Sequence, residues 1–404
     1  MESENAITPI RLTYLNITTL TMIRDPDSFQ ILLDTISRFV REKLIPREAE
    51  VTETDAIPAD IMAEMRRMGL FGLTIPEAYG GLGLTTEEEA LTSMALCEAS
   101  PVFRSIMGTN NGIGGMGIVI DGTDTQKKKY LPRLATGEII GSFALTEPGS
   151  GSDAGALTTR ADKQGDHYIV NGAKRYITNA PEADIFTLMA RTDANSKDAG
   201  GVSAFIVERN SPGLTVGKPD RKMGQRGSHT ADVIFENVCV PAENVIGGKE
   251  GMGFKTAMKV LDRARLNIAS VCTGVAQRCL DEGLAYAKER KQFGKAIADF
   301  QLIQAMLADS KTEIYAARSM VLEAARKRDT GANITLEASC CKLFATEMVG
   351  RVADRAVQIH GGAGYMQESA IERLYRDVRL FRIFEGTTQI QQLVIARHML
   401  KDNA

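Results

Sequence analysis

The chain has 404 residues, of which 44% are hydrophobic and 25% are charged, and its formal net charge is −3. This composition is typical of globular proteins, and a chain of this length buries about 75% of its unfolded surface, enough to fold without disulfides or a structural metal. The charge balance excludes a chain-wide nucleic-acid surface, which needs a basic excess.

Helical spacing of apolar residues dominates the first part of the chain. Apolar residues recur every three or four positions after Asp25 and Pro26, which supply a capping side chain and a proline at the first helical position. Thr85 and Glu88 have the spacing of a capping box and predict the start of a further helix. We therefore predict an N-terminal all-α domain at residues 1–140.

Short runs rich in β-branched and aromatic residues replace the helical pattern from residue 141. They lie at residues 142–146, 167–170, 175–178, 185–190, 202–207 and 231–240. Turn-forming sequences separate them, and Asn171-Gly172 between two runs predicts a hairpin. Short strands at this spacing favour a small barrel or sandwich over a parallel sheet, so residues 141–248 are predicted to form a middle β domain.

Helical spacing returns after residue 248. One apolar face extends over residues 303–324, and further helices are predicted to begin near Thr335 and Glu368. Residues 249–404 are therefore predicted to form a C-terminal all-α domain. The fold class is α+β multidomain, with a helical domain, a β-barrel or sandwich domain and a helical bundle in that order.

The six cysteines and four histidines lack the tight spacing of a zinc site or a disulfide framework, so we predict reduced cysteines and no metal. The sequence contains no run of ~18 apolar residues, so no membrane-spanning helix is predicted. Glu2 and Glu4 fit neither a secretory signal nor a transit peptide. These features predict a cytoplasmic protein without nucleic-acid or membrane partners.

Residues 149–154, GSGSDA, fit the dinucleotide fingerprint G-x-G-x-x-A. That fingerprint requires a helix directly after it, whereas residues 157–160 resemble another strand, so a Rossmann site is disfavoured. The surrounding phrase joins a strand bearing Thr146 to a glycine turn bearing Ser152. Amides and hydroxyls of this kind suit a flat heterocycle such as a flavin, although a turn of this composition alone is more often structural.

Two other phrases carry side chains suited to chemistry. Tyr176 and Thr178 share one face of a strand, where they could cover and hydrogen-bond a ring; the alternative is a Tyr–Thr pair on a half-buried sheet. Glu385 follows the largely apolar residues 380–384. An apolar setting raises a carboxylate's pKa from about 4.3, as a base near neutral pH requires; the alternative is an ordinary exposed loop glutamate.

Taken together, these phrases resemble the acyl-CoA dehydrogenase family over nearly the whole chain. The matching phrases are GLFGL at 69–73, PEAYGGLG at 76–83, LTEPGSGSD at 145–153, MGQRG at 223–227, ERKQFGK at 289–295, QIHGGAGY at 358–365 and EGTTQIQ at 385–391. Any one of them could arise by chance, but all of them in order are specific. The family's helical, barrel and helical domains agree with the α–β–α pattern.

The resemblance implies FAD as cofactor and α,β-dehydrogenation of an acyl-CoA thioester to the trans-2-enoyl-CoA. In the family, a carboxylate removes the proton α to the thioester carbonyl while flavin N5 accepts hydride from the β-carbon. The motif identifies that carboxylate as Glu385, whose own N–H binds the developing enolate oxygen together with a flavin ribityl hydroxyl. It also implies an electron-transferring flavoprotein as acceptor and a homo-oligomer, usually a tetramer built as a dimer of dimers.

The resemblance assigns further residues by their position in the motifs. The flavin ring would be contacted by Phe143, Leu145, Thr146, Tyr176 and Thr178, with Ser152 toward the thioester. The FAD of a neighbouring subunit would be held by Arg290, Phe293, Gln301, Gln358, Ile359, Gly361 and Gly362. The adenosine or pyrophosphate side would be contacted by Thr387 and Gln389. The substrate would be bordered by Ser152, Asp262, Arg265 and Gly386, while His360 is expected only to pack in its glycine loop.

The chain departs from the family pattern at three positions. Tyr176 stands where most members have tryptophan, and the chain has no tryptophan. Ala264 stands where some relatives carry an alternative base, which leaves Glu385 as the base. Gln392 stands where an arginine is common, which removes one coenzyme A contact.

Other functions stay open on the sequence alone. An acyl-CoA oxidase or an enoyl-CoA reductase of the same fold would carry the same motifs, because oxygen reactivity depends on how the reduced flavin is sheltered. A non-catalytic family member acting as an assembly protein is disfavoured, since Glu385 and the flavin phrases are present. The acyl chain length is not readable, because one methylene changes binding by only about 1–3 kcal/mol.

Overall fold

The computed structural model describes residues 21–193, 195–196 and 199–401, so Glu2 and Glu4 lie outside the described residues. The N-terminal helices are α1 (Pro26–Phe39), α2 (Glu48–Thr54), α3 (Ala59–Arg67), α4 (Thr86–Leu96), α5 (Pro101–Asn111), α6 (Met116–Asp121) and α7 (Asp124–Thr136). Asp25 accepts the N–H of Ser28 at the start of α1, and Thr85 and Glu88 form a reciprocal capping box on α4. Both predicted helix starts are thereby confirmed.

The middle of the chain folds into one curled sheet. Its strands are β1 (Gly141–Ala144), β2 (Arg160–Gln164), β3 (His167–Thr178), β4 (Ile185–Arg191), β5 (Val202–Glu208), β6 (Leu214–Val216) and β7 (Thr230–Pro241). The strand order is β1-β4-β2-β3-β7-β6, and β5 also pairs with β4. Most pairs are antiparallel, but β1 runs parallel to β4, so the sheet is mixed.

The hairpin predicted at Asn171-Gly172 is wrong. Both residues lie inside β3, where the pairing with β7 shifts register. A Cβ at Gly172 would lie 2.4 Å from the Thr159 hydroxyl oxygen, so this glycine lets two backbone segments approach closely rather than turn the chain. The β2–β3 hairpin forms instead at Gly165, whose φ is +62°.

The segment after the glycine turn also differs from its prediction. Residues 157–159 precede β2, and a short 3-10 turn at Ala154–Ala156 lies before them. The strand therefore begins only at Arg160. The helix that a dinucleotide fingerprint needs is still absent directly after residues 149–154, because the 3-10 turn has three residues.

The C-terminal part is a helical bundle. Its elements are α8 (Gly253–Glu289), β8 (Lys291–Gln292), β9 (Lys295–Ala296), α9 (Gln301–Asp329), α10 (Thr335–His360), α11 (Ala370–Val378) and α12 (Thr388–Lys401). Helix α8 packs against α4, α9 and α10, and their buried side chains, among them Cys272, Val275 and Val352, belong to one core. All six cysteines are free thiols.

The described residues contain neither a helix long and apolar enough to cross a membrane nor a group of three or more metal-ligating side chains. The bundle core continues into α4 of the N-terminal region, and α8 also contacts β5 of the sheet. The three regions therefore pack around α8. A large cavity opens where they meet.

Candidate active site

The cavity has a volume of about 1420 Å³. Its walls come from all three regions, chiefly from α5, the β1–β3 side of the sheet with the loop before β7, the first half of α8, and the stretch from the end of α11 into α12. The predicted residues that line it are Phe143, Leu145, Thr146, Ser152, Tyr176, Thr178, Arg265, Glu385, Gly386 and Thr387. The fold thus brings together residues that are as much as 244 positions apart in sequence, counted from Phe143 to Thr387.

The sheet side of the cavity combines apolar, aromatic and hydroxyl groups. Phe143 and Leu145 are buried, whereas Tyr176 keeps 60% of its surface exposed. Tyr176 has a left-handed φ of +57°, an uncommon conformation for an aromatic residue and one found most often at functional sites. The Arg175 guanidinium lies 4.9 Å from the centre of the Tyr176 ring. This wall therefore offers a flat ring flanked by hydroxyls.

A buried ion pair that the sequence motifs did not predict holds this wall together. Lys174 Nζ lies 2.8 Å from a Glu147 carboxylate oxygen and also donates to the carbonyl of Leu145 at 3.0 Å. Glu147 accepts the N–H groups of Thr158 and Thr159 as well. Burial alone would raise the pKa of Glu147, but the Lys174 ammonium and these hydrogen bonds outweigh it and hold that pKa well below 4.5.

Glu385 lies in the loop before α12 with a left-handed φ of +53°. One of its carboxylate oxygens is buried without a hydrogen-bond partner among the described residues. Burial raises the pKa of Glu385 above its usual 4.5, while the positive charges of Arg104, Lys342 and Arg265 oppose the rise. A half-buried carboxylate with a free oxygen and a raised pKa is suited to accept a proton.

Two side chains hold this loop from neighbouring helices. Lys342 of α10 donates to the carbonyl of Gly386 at 2.7 Å, and Gln391 of α12 donates to the same oxygen at 3.1 Å. A Cβ on Gly386 would lie 2.5 Å from the Gln391 amide nitrogen, and the φ of Gly386 is +94°. Only glycine at this position therefore allows the Gln391 amide to reach the carbonyl of Gly386. The signal that could have identified Lys342 is a lysine on the buried stripe of a helix, between Cys341 and Ala345.

We expect Lys342→Met to slow the chemistry while FAD binding is retained. Burial lowers the pKa of Lys342 to about 8. Replacing this lysine removes both its hydrogen bond to the carbonyl of Gly386 and a positive charge near Glu385. The rate of substrate-driven flavin reduction should fall about 10- to 100-fold, because a misplacement of about 1 Å has effects of that size. The pKa of Glu385 should also rise, so the pH–rate profile should shift toward higher pH.

Rapid-mixing kinetics across a pH series measures both changes. Lys128→Met, at an exposed position on α7, is the matched control. An unchanged rate and an unshifted profile in Lys342→Met would contradict a positioning role.

The predicted substrate residues divide into two sets. Ser152, Arg265 and Gly386 line the cavity. Asp262 is not on the cavity wall: it pairs with Arg265 at 2.7 Å and accepts the hydroxyl of Thr335 at 2.7 Å. Asp262 therefore orients Arg265 from a position outside the cavity wall.

The residues assigned to a neighbouring subunit's cofactor lie away from the cavity. The exposed members of this set are Arg290, Phe293, Gln301, Gln358, Gly361 and Gly362. They surround the β8–β9 hairpin and the end of α10, where Phe293 has 93% of its surface exposed. Ile359 is buried against Ala287 and Ile297, and Gln389 is exposed without lining the cavity. His360 stacks on Tyr286 with 4.3 Å between ring centres, which confirms that it packs in its glycine loop.

Three family models match the chain in succession. The acyl-CoA dehydrogenase N-terminal domain matches residues 26–138, the middle domain residues 142–238 and the C-terminal domain residues 251–400. Together they span most of the chain and all the segments that build the cavity.

Similar proteins include two named reductases. The caffeyl-CoA reductase–Etf complex subunit CarC of Acetobacterium woodii is 44% identical over 92% of this chain and 98% of its own length. The 3-(aryl)acrylate reductase of Clostridium sporogenes is 43% identical over 90% and 96%.

Similar solved structures include two named dehydrogenases. The butyryl-CoA dehydrogenase of Megasphaera elsdenii is 37% identical with a TM-score of 0.89, covering 93% of this chain and 98% of that one. An acyl-CoA dehydrogenase from Bacillus anthracis complexed with FAD is 35% identical with a TM-score of 0.87, covering 94% and 69%.

Proposed function

The chain belongs to the acyl-CoA dehydrogenase family of FAD-dependent oxidoreductases, and on that premise we propose that it converts an acyl-CoA thioester to the trans-2-enoyl-CoA with Glu385 as the base. The observation that carries this proposal is the state of Glu385. Its carboxylate lies on the wall of the large cavity with one oxygen buried and unpartnered among the described residues, and burial raises its pKa.

The residues of the cavity fit FAD. The hydroxyls of Thr146 and Thr178 and the ring of Tyr176 stand on one wall, and the buried Phe143 and Leu145 supply apolar surface beside them. Such a wall matches a flat heterocycle with alternating donors and acceptors. Bound there, the flavin supplies the acceptor for the hydride that leaves the β-carbon.

The chain's own residues perform the proton transfer. Glu385 takes the proton from the carbon α to the thioester carbonyl, and burial, which raises its pKa, favours the protonated carboxyl that results. The N–H of Glu385 has no partner among the described residues, so it is available to bind the carbonyl oxygen as negative charge develops. Lys342 and Gln391 keep the loop in place, and Phe384 packs against the bundle core beside it.

Anaerobic titration tests the proposed direction of reaction. Short, medium, long and branched acyl-CoAs are added to the oxidised protein, and bleaching of the flavin absorbance is followed. The reduced protein is then mixed either with oxygen or with an electron-transferring flavoprotein. Rapid reoxidation by the flavoprotein supports a dehydrogenase, whereas reoxidation by oxygen at catalytic rates would identify an oxidase.

A second candidate is enoyl-CoA reduction at the same site. Three relatives more than 40% identical over at least nine-tenths of the chain are named reductases, and one of them is named as a subunit of an Etf complex. The two directions use the same proton and hydride positions. Supplying reduced electron-transferring flavoprotein with a trans-2-enoyl-CoA, and comparing that rate with the oxidative rate, separates them. An electron-transferring flavoprotein is the proposed partner in either case.

We also propose that the surface around the β8–β9 hairpin meets a second subunit and its FAD. Phe293, Leu302 and Tyr365 expose 93%, 78% and 78% of their surfaces on this part of the bundle, and Arg290 lies beside them. Exposed large apolar groups at one location are typical of an interface. An arginine at that interface suits a pyrophosphate, whose oxygens it can hydrogen-bond in pairs.

Arg290→Ala is therefore expected to weaken FAD retention about tenfold or more and to destabilise the oligomer. The side chain is exposed, so the stability of the isolated chain should not change. The FAD-to-protein ratio after dialysis and the sedimentation velocity measure the two effects. Arg38→Ala, an exposed arginine on α1, is the control. If both quantities equal the wild-type values, the shared-site proposal is wrong.

A further inference from the structure

Arg104 of α5 is a cavity arginine without a carboxylate partner. Among the described residues its guanidinium makes a hydrogen bond to the side-chain oxygen of Asn267 and no ion pair. Two arginines of α8 that line the same cavity do have carboxylate partners: Arg263 pairs with Glu89 at 2.6 Å and Arg265 with Asp262 at 2.7 Å. Arg104 therefore lines the cavity with no carboxylate in direct contact with it among the described residues.

The backbone of α5 is shaped to accommodate this guanidinium. A Cβ at Gly108, one turn further along the helix, would lie 2.6 Å from Nη1 and 2.7 Å from Cζ of Arg104. The guanidinium therefore occupies the space that any other residue at this position would fill. Gly108 also lines the cavity, with Ser105, Thr109, Gly112 and Ile113 as small or apolar neighbours.

Arg104 and Glu385 line the same cavity. The positive charge of Arg104 acts on the Glu385 carboxyl, although no hydrogen bond joins the two side chains. An acyl chain whose α-carbon lies at Glu385 and which extends toward α5 would thus end near Arg104. A hydrocarbon end would desolvate the guanidinium and leave it with only the neutral Asn267 oxygen as partner, which is unfavourable. A carboxylate end would receive paired charge-assisted hydrogen bonds from it.

Resting on the proposed function, we propose that this cavity selects acyl-CoA thioesters whose acyl chain ends in a carboxylate, and that Arg104 binds that carboxylate. The substrate class is the mono-CoA thioesters of straight-chain dicarboxylic acids. Arg104 is then a specificity-determining residue, and Gly108 provides the space for it. Glu89 and Arg263 complete the inner wall as a neutral pair.

The test measures binding and flavin reduction separately. Glutaryl-, adipyl- and pimeloyl-CoA are compared with pentanoyl-, hexanoyl- and heptanoyl-CoA, which have the same carbon counts and no terminal charge. Dissociation constants come from calorimetry with the FAD-loaded protein, and flavin bleaching is recorded in parallel. The wild type should bind the best acidic thioester about 100-fold more tightly than its neutral partner, a ratio in the range for a desolvated charge pair.

Arg104→Gln should abolish this preference while neutral thioesters bind within about threefold of the wild-type affinity. Gly108→Ala keeps the positive charge of Arg104 but displaces its guanidinium, so it should reduce the preference about tenfold. This second variant tests the proposal even if Arg104→Gln does not fold. Arg67→Gln, at an exposed position on α3, should change nothing. No preference in the wild type, or equal losses for both thioester classes in Arg104→Gln, would overturn the inference. Selective binding without bleaching would instead count against the proposed reaction alone.

Discussion

Replacing Glu385 with glutamine is expected to slow flavin reduction by acyl-CoA about 10³-fold or more, with FAD content unchanged. The amide keeps the size of the side chain but cannot take a proton. Because the N–H of residue 385 and the contacts of Lys342 and Gln391 with the Gly386 carbonyl do not involve the carboxylate, the loop should keep its shape. The loss should therefore appear in the chemical step rather than in cofactor binding.

Stopped-flow spectroscopy of the oxidised flavin measures this rate directly. Glu368→Gln, an exposed glutamate in the loop before α11, is the matched control and should behave as the wild type. If Glu385→Gln reduced its flavin at a near-normal rate, another group would have to be the base.

The rate of flavin reduction is also expected to depend on pH in one direction. Only the deprotonated carboxylate accepts a proton, so the rate in the wild type should rise with pH as Glu385 ionises. Burial raises the pKa of Glu385, so this rise should occur above pH 4.5. Measuring single-turnover reduction across a pH series checks it, and Glu385→Gln should lack the rise.

Glu147→Gln is expected to destabilise the fold by about 3–5 kcal/mol, because it leaves the Lys174 ammonium buried without its counter-charge. The pair joins the segment after β1, which carries Thr146, to β3, which carries Tyr176, so FAD retention should fall as well. Denaturant unfolding and the FAD-to-protein ratio measure the two effects. Adding Lys174→Met to the same chain should restore part of the stability, since no unpaired charge then remains.

The contribution of Glu147 to stability also depends on pH. Its folded pKa lies well below the unfolded value of 4.5, so its stabilisation is present above pH 4.5 and is lost as the pH falls below that value. The wild type should therefore lose stability in acid more steeply than Glu147→Gln. The exposed pair of Arg67 and Glu64 is the control, and Glu64→Gln should change stability by less than about 1 kcal/mol. Equal stability of wild type and Glu147→Gln at neutral pH would contradict the role of the pair.

Local signals in the sequence predicted the order of the three regions and several of their details. The caps at Asp25 and Thr85 and the helix starting at Thr335 depend on neighbouring residues, and each is confirmed. Asn171-Gly172 gave a wrong hairpin prediction because the same dipeptide occurs both in turns and where two backbone segments approach closely. Only the approach of Thr159 to Gly172 decides between them, and that contact is not local.

The candidate site was predicted as far as family motifs reach. The motif residues on the sheet side and Glu385 lie on one cavity, but the groups that hold them were missed. Lys174 and Lys342 bind partners 27 and 44 residues away, so their neighbours in the chain do not show what they hold, although Lys342 does lie on the buried stripe of α10. Arg104 was missed for the same reason, since its cavity forms only when α5 meets α8.

The Gly386 carbonyl receives two donors from two different helices, Lys342 from α10 and Gln391 from α12. Two donors from different directions fix the orientation of this carbonyl, so the peptide plane between Gly386 and Thr387, one residue after Glu385, is set when the bundle folds. The loss of conformational entropy on ordering this segment then occurs during folding and not each time a thioester binds. Turnover consequently needs no closing of this loop, and substrate association should be limited by entry into the cavity.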